Sequence, residues 1–211
     1  MRKAIVLFSF FVTGLRCVAQ YPGYILLNQP ETFKKAFASA TKATQSIEAD
    51  FTQEKSLQLL AEKMNSKGKF WYKKGNSLRM EYRDPYEYLM ILQAGKIFIK
   101  DGQKENKISA NSNKTFQQVN RLLIDCVSGS MLENPDFKST VFENNTFYLI
   151  ELRPQEKNLK ELYRNINIII DRNDFTASSI GMYELSGDHT IIGFQHKKLN
   201  ATIPDSLFAI P

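Results

Sequence analysis

Between Gly68 and Leu92 the chain reads GKFWYKKGNSLRMEYRDPYEYLMIL, and this stretch leaves room for little but a meander of antiparallel strands. Met64, Ser66, Gly68, Phe70 and Tyr72 alternate with Asn65, Lys67, Lys69, Trp71 and Lys73, the period of two of a strand with one covered and one wet face. Lys74, Gly75 and Asn76 turn the chain, and Leu78, Met80 and Tyr82 then alternate with Ser77, Arg79, Glu81 and Arg83. Antiparallel pairing lays the second apolar row beside the first. Asp84 and Pro85 make the next turn. From Glu87 to Leu92 both faces become apolar, so the third strand is expected to be buried more completely than its neighbours.

The ends of the chain bound what this sheet belongs to. Met1 to Ala19 has the form of a cleaved secretory leader: Arg2 and Lys3, an apolar run from Ala4 to Val12, and a small-x-small site at Cys17-Val18-Ala19. Nine apolar residues fall well short of the roughly 20 that a spanning helix needs. Arg16 stands where a lipidated cysteine at position 17 would want a small residue. The mature protein is expected to start at Gln20 and to form one domain over 20–211. The chain has 28 Lys and Arg against 22 Asp and Glu; three of the cations, Arg2, Lys3 and Arg16, lie in the leader, which leaves 25 against 22. A surface that tracks phosphates needs clustered excess cations, so a nucleic-acid partner is not expected. Cys126 alone remains after the leader; with no partner for a disulfide, the fold must rest on its core.

The remaining periodicities predict two main helices and about ten or eleven strands. Glu31 to Thr44 places Phe33, Ala36, Phe37 and Ala40 on one face with Pro30 at its start. Thr115 to Val127 carries an apolar stripe of Phe116, Val119, Leu122, Leu123 and Cys126, with Gly129 as a stop. Alternation marks strands at Ile47–Phe51, at 97–99, at 104–109, and in a hairpin of 137–143 with 147–153 about Asn144-Asn145. Further strands are expected at 166–171, 175–185 and 189–198. So many antiparallel strands in one sheet curl towards a barrel, with the helices on one face or mouth.

Catalytic chemistry is not in view. His189 and His196 fall seven apart in one predicted strand, an odd separation that puts them on opposite faces, where they cannot share a metal. One thiol is too few for a zinc cluster, and neither a Gly-x-Ser-x-Gly elbow nor a Gly-rich phosphate loop is present. Glu81 and Asp84, on a strand and in a turn, read as solvated charges rather than an acid–base pair. The chain is expected not to be an enzyme and to use neither cofactor nor metal.

The phrase FTQEK at Phe51 to Lys55, followed by GKFWYKK and LRMEYRDPYEY, resembles the strand order of the periplasmic outer-membrane lipoprotein carriers of the LolA type, which run "sF-x-Q", "G-x-l-w-x-k-R-P" and "f-R-w-e-y-x-x-P". The C-terminal GDHTIIGFQHKKLNATIPDSLFAIP is similar to that family's closing strand, Asn turn and "lF-x-x-P" end. The resemblance implies a mainly β (α+β) fold: a curved antiparallel sheet forming an unclosed β-barrel of about 11 strands, with two to three helices as a lid over an apolar cavity. It implies a periplasmic monomer that shields the acyl chains of lipoproteins, receives them from an ATP-driven inner-membrane releasing complex and passes them to an outer-membrane acceptor. A carrier of another lipid, such as a glycolipid or lipid-linked pigment, and a periplasmic lipid-sensing module are the alternatives.

For the site, the resemblance selects Phe33, Phe37, Phe51, Phe70, Tyr72, Leu78, Met80, Tyr82, Met90 and Leu92 as candidate lining for acyl chains, with Tyr88 beside them. Met and aromatic side chains adapt to irregular ligands and to irregular cores alike, so packing as plain core under the helices is the competing reading. Lys74-Gly75 occupies the place of the family's Arg-Pro, whose Arg helps hold the lid closed. Lys74 is the latch candidate, with the charge kept and the planar five-donor fork lost. Arg79 and Trp71 are expected on the outer face of the sheet.

Overall fold

Twelve antiparallel strands form one sheet in the order β1-β8-β9-β10-β11-β12-β2-β3-β4-β5-β6-β7. The computed structural model describes residues 21–75, 77–102, 104–109 and 114–211; of 104–109 and 114–120 it gives the backbone course. The expected leader, Asn76 of the first turn, and the side chains of Phe116 and Val119 therefore lie outside the described residues. The strands are β1 (Ile25–Leu26), β2 (Ser46–Leu57), β3 (Glu62–Lys73), β4 (Ser77–Asp84), β5 (Tyr88–Gln93), β6 (Lys96–Asp101), β7 (Lys104–Ser109), β8 (Phe137–Glu143), β9 (Phe147–Pro154), β10 (Tyr163–Asp171), β11 (Ala177–Glu184) and β12 (His189–Leu199). Three α-helices accompany them: α1 (Pro30–Ala43), α2 (Lys114–Ser128) and α3 (Lys157–Leu162). Eleven strands of ordinary length and a two-residue β1 make a sheet whose end strands, β1 and β7, do not pair with each other. It is an unclosed barrel, as expected.

The meander read from Gly68 to Leu92 is the centre of one half of this sheet. β2 and β3 pair without interruption from Ser46↔Lys73 to Leu57↔Glu62, and β4 follows on β3 with one register shift beside Gly68. A side chain at Gly68 would run into the Glu81 carbonyl and the Phe51 ring. The space left free admits Phe51, whose ring meets Tyr82 edge-on at 4.8 Å, so an aromatic covers the glycine across the strands.

Two layers of apolar side chains sit on the two faces. The larger joins α1 (Phe33, Phe37) and α2 (Leu122, Cys126) to the inward rows of the sheet, from Ile47 and Phe70 to Ile168 and Ile180. The smaller, on the outer face, joins Ile91 and Phe98 to Ile203 and Phe208 of the C-terminal segment, with Trp71 and Leu207 packed against it. This second layer is why β5 reads as apolar on both faces: Met90 and Leu92 turn inward and Ile91 outward, and all three are buried. Lys73 Nζ fastens the segment through Ile203 O at 3.0 Å and Asp205 Oδ1 at 2.6 Å, and Arg79 donates to Leu207 O at 3.2 Å.

Local chemistry sets the helix ends. Pro30 opens α1, Glu31 lies in its first turn and Lys42 in its last, which complements the helix dipole. Gly129, with φ 81°, follows α2 and lies so close to Thr41 of α1 that a side chain there would collide with it. α3, which periodicity did not reveal, is capped by Glu156, whose carboxylate accepts from the backbone N–H groups of Asn158 and Leu159 at 2.8 and 3.2 Å.

The histidine expectation is corrected. Between Gln195 and Lys198 strand β12 carries an extra residue relative to β2, and His196 has φ 50°. The bulge resets the alternation, so His189 lies 4.0 Å from Glu54 and His196 2.8 Å from Asp50, two acids on the same face of β2. The histidines thus share a face, held apart along the strand by about 20 Å, the rise of the six residues of β2 from Asp50 to Ser56.

Candidate functional site: the helix-covered face

All ten candidate lining residues lie in the layer between the sheet and the helices, Phe33 and Phe37 from α1 and the other eight from the strands. Phe33, Phe37, Phe51, Phe70, Tyr72, Leu78, Met80, Met90 and Leu92 are buried there, and Tyr82 and Tyr88 pack against them half-buried. Register explains the convergence. Ile47↔Tyr72 and Phe51↔Gly68 across β2–β3, Tyr72↔Leu78 and Phe70↔Met80 across β3–β4, and Leu78↔Leu92 and Met80↔Met90 across β4–β5 place one row beside the next.

Rings join the strands to the helix. Phe33 stacks on Phe37 at 5.4 Å and meets Tyr148 at 4.5 Å and Phe175 at 6.3 Å; Phe70 meets Phe194 edge-on at 5.0 Å. Tyr82 lies between Phe51, Tyr88 and Tyr86, the last two at 5.3 and 6.2 Å, and donates its hydroxyl to Gln53 Oε1 at 2.9 Å. The phenols and the thiol on this face are held in their neutral forms. Burial raises the phenols of Tyr72, Tyr82 and Tyr88, helped for Tyr82 by Tyr88 and Tyr86. Burial and the neighbouring Asp125 push the Cys126 thiol well above its ordinary range, away from the thiolate a nucleophile needs. Among the described residues no group of three or more His, Cys, Asp or Glu is placed to hold a metal ion. The arrangement can bury methylene groups and donate few hydrogen bonds.

The other half of the same face was not singled out from the sequence. Ile150, Leu152, Ile166, Ile168, Ile170 and Ile180, from β9, β10 and β11, are wholly buried against the helices. The alternation of Ile166, Ile168 and Ile170 with Asn165, Asn167 and Ile169 was the signal that could have named them. The polar Gln53, which holds the Tyr82 hydroxyl, carried no such signal.

Lys74 stands at the end of α1. Its Nζ donates to Lys42 O at 2.6 Å, a carbonyl of the last helical turn, and its backbone N–H donates to Gln45 O at 2.8 Å. Arg79 lies on the outer face, where it pairs with Glu81 at 2.8 Å and covers the Trp71 ring at 5.9 Å. Trp71 is accordingly part of the outer layer.

Four grooves lined by described residues lie on the outer face or at the rim. One of them, of about 510 Å³, runs past Arg79, Glu81, Arg83 and Leu89 to Tyr82 and Tyr88.

The sequence profile of the family described as "Outer membrane lipoprotein carrier protein LolA" matches residues 42–211. No curated protein sequence matches the chain. Among solved structures, the MucA/MucB complex of Pseudomonas aeruginosa is similar with TM-score 0.52 and 12% identity, over 85% of this chain and 60% of that one. A LolA superfamily protein from Nitrosomonas europaea gives TM-score 0.44 and 9% identity over 84% and 97%, and the lipoprotein LppX of Mycobacterium tuberculosis gives 0.43 and 12% over 84% and 99%. At such identities these are likenesses of fold. The family match covers well over half of the chain, and with the open sheet, its helices and the apolar layer between them it places this protein in the LolA family of outer membrane lipoprotein carriers.

Proposed function

We propose that the protein is a periplasmic carrier that covers the acyl chains of lipoproteins beneath α1 and α2 and moves them from the inner to the outer membrane. In this reading residues 20–211 work as one monomeric carrier domain after removal of the leader, taking cargo from an ATP-driven releasing complex and yielding it to an outer-membrane acceptor. No cofactor and no covalent step are involved. The physical need is the transfer of a triacylated anchor through water, where each methylene is worth about 0.8 kcal/mol of burial. No helix among the described residues is long and apolar enough to cross a membrane.

The observation that carries the reading is how α1 is held. Its Phe33 and Phe37 rest on the apolar layer, and Lys74 ties its last turn. Among the described residues no backbone hydrogen bond runs from α1 to a strand. Such a helix can lift without breaking the sheet and expose Phe51, Phe70, Tyr72, Leu78, Met80, Tyr82, Met90 and Leu92 to an acyl chain.

Binding of a fluorescent fatty acid to Leu78→Glu and Met90→Glu, measured together with melting temperature, tests this. A folded variant that loses the probe supports a lined cavity. Unfolding of both variants assigns these side chains to plain core, where an unpaired charge is very destabilising, and undiminished binding in a folded variant removes that residue from the site. Mass spectrometry of the natively purified protein then identifies the lipid carried.

A further inference from the structure

The β2–β3 hairpin overhangs β4 at one end of the sheet, while β12 accompanies β2 as far as His189↔Ser56. β4 stops pairing with β3 at Lys67↔Asp84, whereas β2 and β3 remain paired as far as Leu57↔Glu62. Five further residues of β3 therefore project beyond the β4 edge, about 16 Å at the ordinary strand rise. The single-turn 3-10 helix at the tip, Gln58–Leu60, carries Leu59 at 95% and Leu60 at 60% exposure. At the same end the β11–β12 turn presents Leu185 at 60%, and the β4–β5 turn presents Tyr86 at 42%.

The tip is built rather than loose. The Gln58 backbone N–H donates to Asp188 Oδ1 at 2.8 Å, and the Gln58 side chain lies over Gly187, where a Cβ would strike it. Ala61 closes the turn in the left-handed region by donating to Gln58 O at 3.3 Å. Two neighbouring turns are thereby locked together with their leucines turned to solvent.

We propose that this end of the molecule is a membrane-contact tip that inserts Leu59 and Leu60 into the surface of a lipid bilayer, with Leu185 at its margin. Consecutive residues of a 3-10 turn point about 120° apart, so a pocket on a protein would take one leucine and leave the other wet. A fluid apolar phase takes both. A plane also suits leucines carried by two adjoining turns that the Gln58–Asp188 bond holds side by side. The hairpin's charges balance: Lys63 pairs with Glu54 and Lys67 with Asp84, each at 3.1 Å, and Lys55 is offset in net charge by Glu62. Contact is therefore apolar rather than a response to anionic headgroups.

The test is flotation of the mature protein with vesicles of phosphatidylethanolamine and phosphatidylcholine. The wild type floats with the vesicles, and 0.5 M NaCl changes its partition coefficient less than about twofold, because the contact is not electrostatic. Leu59→Gln combined with Leu60→Gln lowers the partition coefficient at least about tenfold, with melting temperature and fatty-acid probe binding unchanged. Absence of flotation by the wild type, undiminished flotation of the double variant, or abolition by salt overturns the proposal. A second readout uses Leu59→Cys carrying an environment-sensitive fluorophore, since Cys126 is buried. A blue shift on adding vesicles supports insertion. A shift that follows protein concentration without vesicles assigns the tip to a second copy of the chain and overturns it. Probe binding by the interior reports on the carrier reading separately, so the two fail independently.

Discussion

Lys74 shows how much one side chain can be asked to do. Its bond to Lys42 O meets a helix C-terminal carbonyl that would otherwise lack an intrahelical donor, and a cation there also suits the helix dipole. One charge-assisted bond of this kind is worth about 1 kcal/mol, roughly fivefold in the ratio of closed to open helix. Lys74→Leu is expected to speed both loading and release of a lipid cargo by about that factor, and Lys74→Arg to slow them. Global stability should move by no more than that same amount of about 1 kcal/mol in either variant, because the side chain is exposed and among the described residues makes this one bond. Stopped-flow exchange of a fluorescent acyl probe measures the first and urea denaturation the second; unchanged rates in both variants would make Lys74 an ordinary solvated lysine. Glu81 gives a prediction with a pH sign. Burial acts to raise its carboxyl, and the Arg79 and Arg83 guanidiniums outweigh this, so the group is held below its ordinary value. A depressed folded pKa means that the stability it contributes is present above the unfolded carboxylate pKa near 4.3 and is lost as pH falls through the folded value. The melting-temperature advantage of wild type over Glu81→Gln should be complete at pH 6 and shrink below about pH 4.

The C-terminal segment and the junction of α1 with α2 carry the next two expectations. Phe208 is buried on the outer face with Ile91, Phe98 and Ile203, so Phe208→Ala should destabilise by about 3–5 kcal/mol in urea titrations. The interior probe site, on the opposite face of the sheet, should keep its affinity wherever the variant is folded. Gly129→Ala meets two obstacles, a left-handed backbone and the Thr41 side chain, and should cost about 1–3 kcal/mol. Most of these elements were legible because a half-buried strand writes its two faces into alternate residues. The expected strands at 104–109 and 137–143 coincide with β7 and β8. β1 and α3 were not legible: two residues have no period, and the cap that starts α3 is a glutamate, which sits outside the usual capping residues. The bulge at His196 was missed for a related reason, since alternation read along one strand cannot show an extra residue that only pairing with β2 defines. The double-sided burial of β5 was readable, but its cause lay more than a hundred residues away in Ile203 and Phe208. The candidate site was half read, because attention to the aromatic and Met-rich rows passed over the isoleucine rows of β10 and β11.

Export and folding bear on the chain as one object. Intact-mass analysis of the purified protein should give a polypeptide beginning at Gln20 with no acyl group, and acylation at Cys17 or a retained leader in the membrane fraction would contradict the carrier reading. How the sheet is sewn together bears on that journey. β2 finds its neighbour in β12, and the tip residues Gln58 and Asp188 that meet there are 130 residues apart in sequence. Pairing over such separations is slow, because the loop must be closed before its contacts form. If the chain is delivered N-terminus first across the inner membrane, as proposed above, it emerges with the meander β2–β7 but without the strand that flanks β2 or the Ile203–Phe208 segment that covers β5. Its central seam cannot close until nearly the last residue has arrived. Under the proposed export the topology would work as a timing device: the polypeptide would stay a thread during passage and close its sheet only when passage is complete.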